Sequence, residues 1–215
     1  MKLYLSSYKL GEQTELLKEW LAGTQKRVGY IPNAFDFTSW SDPANRAKHM
    51  EFDMNELKGL GFQMELLDLK DYFGKTAELK AKLAELDMLW VSGGNTFVLR
   101  QAMRLSGFDQ LLGALSARED FVYGGYSAGC CVLSPTLKGL QIVDDPNDFP
   151  YEGCKETIWE GLGLIDYAFL PHYDSDHPES ADIDKEVAYC TEQGIPFKTV
   201  RDGEVIVVEN SNFAG

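Results

Sequence analysis

Histidine is scarce in this chain, at 3 of 215 residues, and basic residues are outnumbered, with Lys+Arg 20 against Asp+Glu 34. The resulting net charge of −14 gives a field that repels phosphate backbones, which argues against nucleic acid as a partner. No apolar run approaches the roughly 18 residues of a membrane span. The 4 cysteines, Cys130, Cys131, Cys154 and Cys190, form no C-x-x-C pair and no metal-type spacing. Reduced thiols in the cytoplasm are the expectation. The apolar part of Met1 to Ser7 is too short for a secretory leader and reads better as a first β-strand. There is no G-x-G-x-x-G, no P-loop and no internal repeat, so no cofactor is called for.

What is present alternates. Apolar strand-like runs, among them Arg27 to Ile31, Phe62 to Leu66, Asp87 to Val91 and Phe121 to Tyr123, are separated by helical patterns. One such helix is expected from a capping Asp42 and Pro43 to about Gly59, with Ala47, Met50, Met54 and Leu57 on its buried face. Another carries Leu79, Leu83 and Leu86. Residues 134–163 have little regularity and read as a long functional or mobile connection. Towards the end, Phe197 to Val200 and Glu204 to Val208 flank Asp202-Gly203, the chemistry of a hairpin turn. The pattern predicts a single α/β domain over 1–215, with a mostly parallel sheet between helix layers in a three-layer α/β/α sandwich. Functional groups in such sheets collect beyond the carboxyl ends of the strands.

One strand end stands out. Gly125-Tyr126-Ser127-Ala128-Gly129 is a G-x-S-x-G segment, which a strand-to-helix turn needs when it holds a serine in a cramped backbone conformation. The helix beginning at Ala128 would point its first N–H groups at negative charge developing beside Ser127. Such a nucleophile needs a base. His49 lies mid-helix, whereas His172 follows Tyr167 to Pro171 and is expected at a strand tip on the same sheet edge as Ser127. Oxyanion donors are available in the N–H of Ala128 and one from Gly93 or Gly94. Acids for a third role are plentiful: Asp202 is favoured if the hairpin folds back, over Asp174 and Asp176, which suit a helix start. Cys130, three residues past Ser127, should face the core. A rival reading takes His172, Asp174, Asp176 and His177 as ligands for zinc or manganese in a metal-dependent hydrolase, although Ser-Asp-His-Pro-Glu-Ser also reads as a helix start.

With Gly93-Gly94-Asn95-Thr96-Phe97, the elbow at 124–129 and Pro171-His172-Tyr173 in this order, the sequence resembles the dipeptidase E and cyanophycinase family of serine peptidases. The resemblance spans about Leu3 to Val208. It implies a fold similar to class I glutamine amidotransferases, with Ser127 as nucleophile, His172 as base, and Gly94 with Ala128 as oxyanion donors. Aspartyl dipeptidases of the family read an N-terminal aspartate, so the resemblance implies dipeptidase-like cleavage next to an acidic residue, although no particular residue here is matched to that recognition. The expected partner is a small peptide substrate, with neither nucleic acid nor membrane, for a monomer or homodimer. A non-catalytic small-ligand-binding relative with the same fold is the alternative.

Overall fold

The computed structural model describes residues 1–39 and 43–209. Six strands form one sheet in the order β3-β2-β4-β5-β1-β8: β1 (Lys2–Ser6), β2 (Arg27–Ile31), β3 (Gln63–Leu66), β4 (Met88–Val91), β5 (Val122–Tyr126) and β8 (Val205–Val208). All pairings are parallel except β1 with β8, which is antiparallel. A second, two-stranded parallel sheet joins β6 (Ala168–Leu170) to β7 (Phe197–Thr199).

Side chains alternate across a strand, so a sheet covered on both faces is apolar at every position. Met88-Leu89-Trp90-Val91 is such a run. Leu89 and Val91 enter one core with Leu3, Leu5 and Tyr123, under helices α3 (Thr76–Ala84), α4 (Thr96–Ser106) and α5 (Phe108–Ser116). Met88 and Trp90 enter the other with Tyr4, Val28 and Tyr30, beneath α1 (Thr14–Trp20) and α2 (Pro43–Gly59). Each large side chain so buried contributes roughly 1.5–3 kcal/mol. The three expected layers are therefore present, with α6 (Ala128–Cys131) and α7 (Ser180–Gln193) added on the first face.

Three local expectations are corrected. β7 and β8 are not a hairpin: the turn at Asp202-Gly203, closed by Glu204 N–H on the Arg201 carbonyl at 2.9 Å, links strands of two different sheets. On α2 the buried positions are Asp53 and Leu57, with Met50 and Met54 half-buried and Ala47 exposed; the expected cap Asp42 lies outside the described residues. After the elbow the helix lasts one turn, Ala128–Cys131, so any favourable field at Ser127 comes from individual N–H groups and not from a long dipole.

Candidate active site

β5 runs straight into Ser127, whose backbone sits at φ 46°, ψ −117°, away from the conformations an L-residue favours. The two flanking glycines explain how the turn closes. A Cβ at Gly125 would meet the Val91 carbonyl oxygen at 2.8 Å, and one at Gly129 would meet the same oxygen at 2.4 Å. Both arms of the elbow thus press on the end of β4. Tyr126 is anchored from below, its hydroxyl donating to Asp53 at 2.8 Å, and Asp53 also accepts from Tyr30 at 2.7 Å and Lys9 at 2.7 Å. A charged residue in α2 therefore fixes the residue before the serine.

The neighbouring strand end, after β4, brings Gly93 and Gly94 alongside. A Cβ on Gly93 would lie 3.2 Å from Ser127 Cβ, and one on Gly94, at φ 129°, would lie 2.3 Å from the Ala34 carbonyl oxygen. Among the described residues, the N–H groups of Gly94 and Ala128 have no hydrogen-bond partner. Two free donors beside a serine are what an oxyanion requires.

His172 follows β6, so it stands at the tip of the two-stranded sheet and not on the six-stranded sheet's edge as the sequence suggested. Its ring is nevertheless fixed. Nδ1 lies 2.7 Å from Asp202 Oδ1, and the backbone, at φ 60°, donates its N–H to Ser7 Oγ at 2.8 Å. The Ser7 hydroxyl has acceptors in Asp202 Oδ1 at 2.8 Å and the Val200 carbonyl at 3.1 Å. Asp202 donates its own N–H to Ser175 Oγ at 2.9 Å. With the carboxylate on Nδ1, the partner assigns the proton to that nitrogen and leaves Nε2 with its lone pair.

Burial, then the charge of His177, pushes the His172 imidazole down to about 4, against the opposing pull of Asp202. The His177 ring stacks on it at 3.7 Å between centroids, 8° from parallel, and Tyr8 approaches both rings edge-on. No hydrogen bond joins Ser127 to His172. Glu179 stands near both: its Oε2 is 3.9 Å from His172 Nε2, and it lines a hollow together with Ser127 and Pro171.

Of the other sequence candidates, Asp174 pairs with Arg201 at the surface, and neither it nor Asp176 joins a ligand cluster. The metal reading changes composition. His172, His177 and Glu179 bring one ligand atom each within 4.8 Å of one another. Nδ1 of His172 is engaged by Asp202, so Nε2 is the ligand atom left for an ion. Cys130 is fully buried, and burial pushes its thiol up, which leaves it inert. Sequence reasoning missed Ser7, Asp53, Asp144, Glu179 and Glu186. Only Ser7 had a local signal, as a hydroxyl just past the end of β1.

The chemistry open to a strained alcohol with a carboxylate-backed imidazole in the same region is acyl transfer, and the class it defines is the serine-type hydrolases. The comparisons with known proteins agree. A profile of peptidase family S51 matches residues 5–214. An uncharacterised peptidase of Listeria monocytogenes is 31% identical over 151 residues, 70% of this chain and 67% of its own length. Peptidase E of Streptomyces coelicolor is 29% identical over 134 residues, 60% of this chain and 51% of its own. A crystal structure of a candidate peptidase E protein from Listeria monocytogenes EGD-e superposes with a TM-score of 0.72 at 27% identity, covering 98% of each chain. The chain belongs to peptidase family S51, and it is a serine-type peptidase. Among the described residues no helix is long and apolar enough to cross a membrane.

Proposed function

We propose that the protein hydrolyses small peptides, with Ser127 as nucleophile, His172 as general base, Asp202 as the group that orients it, and Gly94 with Ala128 as oxyanion donors. The observation that carries this reading is the 2.7 Å contact of His172 Nδ1 with Asp202, in a chain whose Ser127 is held at φ 46° on a strand end. Nε2 takes the proton of the Ser127 hydroxyl as Oγ bonds to the peptide carbonyl carbon. The carbonyl oxygen, now negative, is received by the two free N–H groups. The same proton then passes to the leaving amine as the C–N bond breaks. Water, deprotonated by His172, clears the acyl-enzyme and regenerates Ser127. The serine and imidazole need to draw together when substrate enters, as catalytic contacts commonly tighten only in the complex.

A fluorophosphonate probe is expected to label the wild type at Ser127 and to spare Ser127→Ala. Ser127→Ala and His172→Ala should each lower kcat/KM on a cleaved dipeptide by about a thousandfold or more. Equal labelling of wild type and Ser127→Ala would remove the nucleophile assignment.

A further inference from the structure

Two adjoining hollows open beside the elbow, and their lining is acidic. The smaller, about 20 Å³, includes Ser127, Thr96, Asp144, Glu179 and Glu186; the larger, about 290 Å³, includes Gly94, Asn95, Asp145 and Asp148. They share Val143, Asp144 and Glu179. Among the described residues no lysine, arginine or histidine lines either one. Five carboxyls thus line two hollows, one of which reaches the serine and the other a candidate oxyanion donor.

Most acids in this chain are solvated, but two of these are not. Glu186 is 1% exposed and its Oε2 is buried with no hydrogen-bond partner; Asp148 is 7% exposed and its Oδ1 is likewise buried without one. A buried oxygen with unused acceptor capacity is costly unless something arrives to use it. The segment that brings Asp144, Asp145 and Asp148 is held in place. Asp144 Oδ2 accepts the Thr96 N–H at 2.8 Å, the Asp145 carbonyl accepts from Asn95 Nδ2 at 3.0 Å, and the Asp148 carbonyl accepts from Gln101 Nε2 at 2.7 Å. These acids are therefore positioned by α4 and are not swept loosely through solvent.

We propose, on the reading that Ser127 is the nucleophile, that these hollows select peptides carrying a cation next to the scissile carbonyl, a primary ammonium or a guanidinium, and reject aspartyl peptides. An aspartyl side chain brought among these acids would meet like charge on those that are ionised, with no cation to offset it, which is how a site discriminates by repulsion as well as by attraction. Burial holds Glu186 up at about 9 and Asp144 at about 6 in the free protein. An incoming ammonium favours their ionised forms, so cation binding carries proton release with it.

The test compares Lys-Ala, Arg-Ala, Ala-Ala, Asp-Ala and Nα-acetyl-Lys-Ala, by turnover with the wild type and by calorimetric binding to Ser127→Ala. Lys-Ala and Arg-Ala are expected to exceed Asp-Ala by at least about tenfold in kcat/KM and in affinity. If acetylation leaves cleavage intact, the side chain is the cation that is read. If acetylation abolishes it while Ala-Ala matches Lys-Ala, the α-ammonium is. Both results support the proposal. Asp-Ala equal to or better than Lys-Ala in binding overturns it, whether or not Ser127 proves to be the nucleophile, since the binding arm does not depend on turnover. Glu186→Gln should shrink the Lys-Ala over Asp-Ala preference severalfold, with Asp145→Asn as a second, exposed variant if the first folds poorly. An unchanged preference in both variants also overturns the proposal.

Discussion

At the scale of single residues, the site stands on a few tight contacts and two displaced proton equilibria. Gly129→Ala drives a Cβ to 2.4 Å from a backbone oxygen that a flexible side chain cannot relieve. It should cost about 1–3 kcal/mol in urea unfolding and reduce probe labelling of Ser127. His172 is held near 4, so its neutral, proton-accepting form persists well below the usual imidazole range. The acid limb of kcat/KM is therefore expected below about pH 5 and not near 6.5. In stability the same depression has a fixed sign: the contribution of His172 is complete above about pH 6.5 and is lost as pH falls toward 4, because the unfolded chain takes the proton first. Glu186 acts the other way. Its folded value, about 9, is above the unfolded one, so its contribution is present below about pH 4.5 and drains as pH rises toward 9. Glu186→Gln should therefore raise Tm relative to wild type more at pH 8 than at pH 5, which a pair of thermal scans would decide.

At the scale of elements, α2 is the helix whose role the sequence hid. The sequence puts Ala47, Met50, Met54 and Leu57 on its buried face, yet Asp53 is buried and gathers Lys9, Tyr30 and Tyr126 around one carboxylate. Asp53→Ala leaves two tyrosine hydroxyls and an ammonium without their acceptor. It should cost about 3–5 kcal/mol, the range for breaking a buried ion pair from one side, and loosen the turn before Ser127. The parallel strands, the elbow and the order of the motifs were legible because periodicity and backbone chemistry are local signals. Which strand pairs with which is not local. Asp202-Gly203 makes the turn its chemistry promises, but β8 finds β1 and β7 finds β6, so neither partner is encoded near the turn. The same limit hid Glu179 and Glu186: the first belongs to a helix start and the second is an acid within that helix, and neither spacing announces the approach of Asp144. His172, Asp202 and Gly94 were named from sequence, yet the bond that joins the first two spans 30 positions and needed the fold to be seen.

At the scale of the whole molecule, the net charge of −14 and the acidic hollows have the same sign. On the proposed selectivity a positively charged peptide would be drawn in by both, and salt would weaken the longer-range part first. Raising ionic strength from about 20 to about 500 mM should lower kcat/KM for Lys-Ala by about threefold while leaving that for Ala-Ala nearly level. Stopped-flow or initial-rate measurements across a salt series would show it. Equal slopes for the two peptides would deny any steering by the field.

Ser7 ties all of this to the order of synthesis. It sits just beyond β1, yet its hydroxyl receives the His172 amide and faces Asp202, 165 and 195 positions further along. A nascent chain leaving the ribosome has its serine elbow long before it has Asp202, the carboxylate proposed to steady the imidazole, and β8, which pairs with β1, comes later still. On the proposed roles, peptide-bond cleavage would be withheld until the turn carrying Asp202 has met Ser7.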